Sequence, residues 1–298
     1  MASADTDWQR MRARWPNAAY SRFVSAGGIR WHVQEAGEGP GLLLLHGTGA
    51  ATHSWGGLLP LLAGHFRVVA PDLPGHGFTA MPGAAQLTLP GMASAVAALL
   101  RERHVEPRVV VGHSAGAAIL ARMQLDATIG ADALFSIGGA LLPFEGLPGH
   151  LFAPLARLLA RLSPVPWLFA HGATRAGVVE NLLAKTGSTL CGEAVEQYRF
   201  LLQSPRHVAG VLGMMANWDL VSLEPDLPRL GAALCLVACE GDLTVPVAVA
   251  QRLKLRVPEA SLTVLRGLGH LGHEEAPATF ADLLLGTARA RGVLPSEV

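Results

Sequence analysis

The residues best suited to do chemistry lie in Gly112-His113-Ser114-Ala115-Gly116. A serine flanked by glycines, after the apolar run Val109 to Val111 and before a helical segment, has the context of a G-x-S-x-G nucleophile elbow. The glycines allow a sharp turn that leaves the hydroxyl pointing out. The helix N-terminus beneath it stabilises developing negative charge. Such a serine needs a histidine to take its proton and a carboxylate to orient that histidine. In chain order the candidates are Asp242, in Cys239-Glu240-Gly241-Asp242, and His270, in Gly267-Leu268-Gly269-His270. Each follows an apolar run, Leu234 to Ala238 and Ser261 to Leu265, which puts both at carboxyl ends of strands on the sheet edge that carries Ser114. Glu240 reads more simply as a loop cap. His273, three residues beyond His270, could face the same way, and the glycines before His270 favour His270 as the base. Asp219 precedes the strand and reads as a helix-end contact.

Acyl transfer also needs donors for the oxyanion. The Ala115 N–H, directly after the serine, is one candidate. The loop His46-Gly47-Thr48-Gly49 supplies the other, with the Thr48 N–H best placed and His46 bracing the loop. His53 and Trp55 either line a pocket or pack beneath that loop. Asp72, in Asp72-Leu73-Pro74-Gly75-His76-Gly77, reads as an acceptor for nearby backbone rather than as a catalytic group. His46, His53, His270 and His273 lack the clustered spacing of a metal site, so no metal is expected. There is no G-x-x-x-x-G-K-[ST], which excludes a nucleotide-driven motor of that type, and no cofactor is expected.

The elements that must position these groups alternate. Strands are expected at Ser21 to Val24 and Ile29 to Gln34, joined by Gly27-Gly28, then at Leu42 to Leu45, Arg67 to Ala70, Arg108 to Val111 and Ala133 to Ile137. Helices are expected from Pro90 and over Ala115 to about Leu125. The alternation stops at Leu141 and resumes with strands at Leu234 to Ala238 and Ser261 to Leu265 and helices from about Pro246 and Pro277. The expected architecture is a mostly parallel eight-stranded sheet flanked by helices, with right-handed crossovers. Residues 1–140 and 216–298 would form its core and residues 141–215 a helical cap. Within the cap, Leu151, Phe152, Leu155, Leu158, Leu159 and Leu162 share one helical face, with Arg157 and Arg161 away from it. Phe144, Trp167, Met214 and Met215 are candidates to line an apolar pocket or to seal the cap onto the body.

The chain has 298 residues, half of them apolar and 15% charged, so a sizeable core is available and global disorder is excluded. Lys plus Arg and Asp plus Glu are both 23, which gives no basis for general nucleic-acid binding. Mean hydropathy of +0.34 points to an apolar ligand or to contact with a membrane surface, the latter through the cap and through Trp8, Trp15 and nearby arginines. Three cysteines, Cys191, Cys235 and Cys239, form neither a disulfide framework nor a metal spacing, which suits a reducing compartment. With no signal-peptide stretch and no long apolar run, a cytoplasmic location is expected.

With these residues in place the chain resembles the α/β-hydrolase superfamily over nearly its whole length. The marks are His46 to Gly49, the Asp72 to Gly77 loop, Gly112 to Gly116, Asp242 and His270. Within it, the sequence resembles the BchO-type magnesium-chelatase accessory proteins of bacteriochlorophyll biosynthesis. That resemblance is carried by Trp31 to Gln34, His46 to Trp55, Pro71 to Thr79, Gly112 to Met123, Gly139 to Phe144 and Gly210 to Leu220. It implies a role around magnesium insertion into protoporphyrin IX, a tetrapyrrole ligand or apolar substrate, and magnesium-chelatase subunits as partners. Two functions remain open: a serine hydrolase of an ester or related acyl bond, and a porphyrin-binding or chelatase-interacting protein with an idle triad, in which Arg157 and Arg161 could meet propionates.

Overall fold

The structure, a computed structural model, describes residues 4–143 and 164–296. The elements in chain order are α1 (Ala4–Met11), β1 (Ser21–Ala26), β2 (Ile29–Ala36), β3 (Gly41–Leu45), α2 (Leu58–Ala63), β4 (Arg67–Pro71), α3 (Leu89–Arg103), β5 (Pro107–His113), α4 (Ala115–Leu125) and β6 (Ala133–Ile137). There follow α5 (Pro164–Gly172), α6 (Val178–Ala184), α7 (Glu193–Leu202), α8 (Pro205–Asn217), β7 (Leu234–Cys239), α9 (Val247–Arg256), β8 (Ser261–Leu265), α10 (Gly272–Glu275) and α11 (Pro277–Ala290). One eight-stranded sheet runs in the order β1-β2-β4-β3-β5-β6-β7-β8. The β1–β2 and β2–β4 pairs are antiparallel, and every later pair is parallel.

The central strands are buried on both faces, which is why they read as unbroken runs such as Leu42 to Leu45 and Val109 to Val111. One face packs on α3 and α4 through residues such as Val96, Ile119 and Leu120. The other packs on α2 and α11 through Leu58, Leu62, Phe280 and Leu284. Two glycines let α4 approach the sheet. A Cβ on Gly116 would lie 2.2 Å from the Leu45 carbonyl oxygen, and one on Gly112 would lie 2.4 Å from the Ala117 nitrogen.

Between β6 and β7 the described residues hold only helices and loops, from α5 to α8 and a short helical stretch before β7. The helix expected over Leu151 to Leu162, with Arg157 and Arg161, and the pocket candidate Phe144 lie outside the described residues.

The N-terminal stretch differs from expectation. It forms α1, and its tryptophans turn inward. The Trp8 ring packs 5.1 Å from Phe78 and 5.0 Å from His32, while Trp15 is buried with its indole N–H donated to the Thr52 hydroxyl. Trp15 is thus buried and Trp8 half-buried against these rings, which lends the expected N-terminal membrane contact no support. No helix among the described residues is long and apolar enough to cross a membrane. Cys235 and Cys239 are buried in β7, Cys191 is exposed, and all three are free.

Candidate active site

Ser114 stands between β5 and α4 with φ 50° and ψ −116°, a backbone conformation that L residues rarely adopt. Its N–H donates to the Ile137 carbonyl at 2.9 Å, and its carbonyl accepts from Ala140 and Ala117 at 3.1 and 3.2 Å. The elbow is thereby tied to the end of β6 as well as to its own helix. Ser114 is half-buried, whereas the residues on either side of it are buried.

Asp242 and His270 come together from the loops after β7 and β8. Asp242 Oδ1 accepts the Thr244 and Val245 N–H groups at 2.8 and 2.7 Å, and Oδ2 lies 2.8 Å from His270 Nδ1. Because Oδ2 accepts, the proton sits on Nδ1 and Nε2 keeps its lone pair. Gly138, at φ 49°, follows β6 and lets the chain pass this pair. A Cβ there would lie 3.0 Å from Asp242 Oδ2 and 3.1 Å from His270 Nδ1.

His113, the residue before the serine, ties the elbow to the histidine loop, its Nε2–H donating to the His270 carbonyl at 3.0 Å. His113 and His270 rings lie 4.5 Å apart, as do those of His113 and His273. Burial, with His273 and His270 nearby, holds His113 well below the ordinary histidine range, so it is neutral. His273 is fully buried and bonds Ser54 rather than Asp242, and burial lowers it to about 3. Of the two histidines considered from sequence, His270 therefore meets the acid. Glu240 is exposed, and Asp219 caps its own turn by accepting from the Val221 N–H.

The loop after β3 reaches the serine because Gly47 has no side chain. A Cβ there would lie 3.0 Å from Ser114 Cβ. Ala115 opens α4, so its N–H is among the helix's first donors, which have no intrahelical acceptor. The Thr48 hydroxyl contacts Met214 Sδ at 3.5 Å. His46 accepts the Leu73 N–H at Nε2, so Nδ1–H donates to the Gly47 carbonyl, and burial keeps the ring neutral. Behind it, His207 of α8 accepts the Gly77 N–H at Nδ1 and donates from Nε2 to the Gly49 carbonyl. Asp72 accepts from the Thr52 and Phe78 N–H groups and from His32. Burial opposes its ionisation, but His32 and those donors outweigh burial and hold it well below the usual carboxylate range.

The pocket candidates divide. Met214 is buried against Thr48, whereas Met215 and Trp167 are half-exposed. Trp55 is fully buried in the apolar cluster under the sheet. His53 is buried beside Tyr198 and borders a cavity of about 190 Å³ with Ser54, Gln197 and Glu274. That cavity does not include Ser114 among its lining residues. His113, Gly138, His207 and the 186–189 turn escaped the sequence reading. His113 sits inside the elbow motif, but its partner is 157 residues away, and no local pattern announces such a pair. Among the described residues no cluster of three or more His, Cys, Asp or Glu could hold a metal ion.

A family model described as "Alpha/beta hydrolase family" matches residues 42–283. The "Magnesium-chelatase 30 kDa subunit" of Rhodobacter capsulatus is 37% identical over 282 residues, covering 94% of this chain and 98% of that protein. The "Pimeloyl-[acyl-carrier protein] methyl ester esterase" of Aeromonas hydrophila is 27% identical, covering 85% of this chain and 96% of that protein. The crystal structure of an alpha/beta hydrolase fold protein from Burkholderia ambifaria superposes with a TM-score of 0.75 at 24% identity, over 90% of this chain and 97% of that one.

Proposed function

From the premise that this chain belongs to the alpha/beta hydrolase family, we propose that it is a serine hydrolase of an ester or related acyl bond, acting beside magnesium insertion in tetrapyrrole synthesis. The observation that carries the reading is the 2.8 Å bond between His270 Nδ1 and Asp242, with the His270 carbonyl bonded by His113, the residue before a serine held at positive φ. With Nδ1 committed to Asp242, His270 Nε2 takes the Ser114 hydroxyl proton as Oγ bonds to the acyl carbon. Charge on the former carbonyl oxygen is met by the Thr48 and Ala115 N–H groups. The leaving alkoxide departs with the proton from Nε2. Water then attacks the acyl-serine, its proton passing through His270 to Ser114, and the free acid leaves. The neutral neighbours His113 and His273 favour this shuttle, because neither adds a positive charge against the imidazolium.

Residues 141–215 serve in this reading as a cap over the serine, with Met214 and Met215 nearest an apolar substrate or tetrapyrrole. The pathway rests on similarity to a protein named as a magnesium-chelatase subunit, and chelatase subunits are the partners it suggests. A cytoplasmic location fits that role. The test is hydrolysis of a p-nitrophenyl ester series by the wild-type chain and by Ser114→Ala. Turnover that is lost in the variant supports the reading, and equal release by both overturns it.

A second reading, an accessory protein whose triad is idle, is favoured by that relative's name and by the exposed apolar side chains Trp167, Leu168 and Phe169. It expects Ser114→Ala to bind protoporphyrin and to support magnesium chelatase as well as wild type. Loss of chelatase support in the variant counts against it.

A further inference from the structure

The acid and base loops of the site meet a third segment, residues 186–189, which leaves the C-terminus of α6. One carbonyl, that of Thr186, accepts the N–H of Leu243 from the acid loop and the N–H of His270 itself, each at 3.2 Å. Two residues on, the Ser188 hydroxyl accepts the Leu271 N–H at 2.8 Å. Glu275 closes the arrangement from α10. Its Oε1 accepts the Thr189 N–H and its Oε2 accepts the Gly269 N–H, both at 2.8 Å. Thus the N–H groups of Gly269, His270 and Leu271, three successive residues, all point at acceptors of this arrangement.

Packing requires the same approach. Gly187 sits at φ +80°, and a Cβ on it would lie 1.8 Å from the Gly241 carbonyl oxygen. A Cβ on Gly269 would lie 2.3 Å from the Gly187 carbonyl carbon. The backbones touch where any side chain would force them apart. Leu271 is buried in a small apolar cluster with Val179, Leu183, Val195 and Tyr198 of α6 and α7, so the residue after the histidine is anchored in the inserted helices.

We infer that the 186–189 turn and Glu275 form a clasp that holds Asp242 and His270 in register, with Ser188 and Glu275 as positioning residues for the proton shuttle. The inserted helices then do more than cover the serine: they complete the frame of the acid–base pair. This rests on the serine-hydrolase reading. The groups facing His270 are Asp242 and the neutral His113, with neutral His273 behind His113.

The test uses the full chain and reads the pair directly. The hydrogen-bonded His270 Nδ1–H gives a far-downfield proton resonance, assigned by its loss in Asp242→Asn. In Ser188→Ala and Glu275→Gln, each of which removes one acceptor, that resonance should broaden through faster exchange with water. Labelling of Ser114 by a fluorophosphonate should slow roughly 10- to 100-fold, the cost of a small misplacement at a reacting group. Ser188→Thr, which keeps the hydroxyl, should restore both. A sharp resonance and unchanged labelling in folded Ser188→Ala and Glu275→Gln would overturn the clasp. Absence of labelling in the wild type would fall on the hydrolase reading alone, because the resonance reports the clasp with or without turnover.

Discussion

Two buried aspartates in this molecule each pair with a histidine at 2.8 Å, and comparing them isolates what makes one pair fit for chemistry. Asp72 holds His32, whose Nε2 lies 2.9 Å from the Ser21 hydroxyl, so a serine, a histidine and an aspartate are aligned there too. Yet His32 and Asp72 are completely buried, and Trp8, Phe23 and Phe78 surround the imidazole. That line braces the N-terminal segment against the β4 loop. Asp242 and His270 are instead joined through His113 to the segment that carries the half-buried Ser114 at the N-terminus of α4. The expected outcome is therefore opposite for the two pairs. Asp242→Asn should lower kcat roughly 10⁴-fold by disturbing the tautomer of His270, with little loss of stability. Asp72→Asn should leave kcat of the folded fraction unchanged and lower unfolding free energy by about 2–4 kcal/mol, since buried donors lose a charged acceptor. Steady-state kinetics and denaturant unfolding separate the two. The pairing of Asp242 with His270 was legible because each, like the candidate Ser114, is a chemically distinctive residue within a few positions of the end of an apolar run. His113 was not, since a buried histidine inside a motif shows nothing of a carbonyl 157 residues on.

At the scale of elements, the central strands were legible because a strand buried on both faces is apolar almost throughout, as Leu42 to Leu45 is and Ala133 to Ile137 is apart from Ser136. The first two strands, β1 and β2, run two residues longer than expected, since Ser25, Ala26, Glu35 and Ala36 carry no apolar run to mark them. Helix α1 escaped because its eight residues are polar apart from Trp8, Met11 and Ala4, and it is stabilised by tertiary packing on Phe23, His32 and Phe78 rather than by propensity. Helix α8 falls within the stretch expected to be helical, but what it contacts was not legible. Its N-cap Ser204 and Pro205 are visible in sequence, but the role of His207 depends on where Gly49 and Gly77 fall. His207 ties the loop that carries Thr48, at Gly49, to the Asp72–Gly77 loop, at Gly77. Its replacement by alanine should lower kcat about 10- to 100-fold with KM little changed, as for a misplaced oxyanion donor. His207→Gln, which retains a donor and an acceptor, should recover part of the loss. Equal falls in kcat for both variants would argue against an orienting role.

For the molecule as a whole, the contact between α7 and α10 sets a pH dependence. Glu274 accepts the Tyr198 hydroxyl at 2.6 Å, and its side chain is 7% exposed. Burial, helped by nearby Glu275 and opposed by the Tyr198 and Ser54 hydroxyls, raises its carboxyl from 4.5 to about 8. A carboxyl raised on folding binds its proton more tightly in the native state, so stability is full below 4.5 and declines as pH climbs to about 8. Glu274→Gln should remove that decline, and thermal melts between pH 5 and 9 would show the wild type losing stability relative to the variant by a few kcal/mol. Parallel melting curves across that range would contradict the assignment. The balanced charge of the chain was plain in its composition, whereas this buried acid was not, because nothing around Glu274 in sequence distinguishes it from the neighbouring Glu275. The central claim is that Ser114 is an activated nucleophile. The most direct measurement is the intact mass of the protein after exposure to a fluorophosphonate, with Ser114→Ala as control. The account predicts one adduct on the wild-type chain and none on the variant. An unmodified wild-type chain of correct fold, or an adduct that persists in the variant, would contradict it.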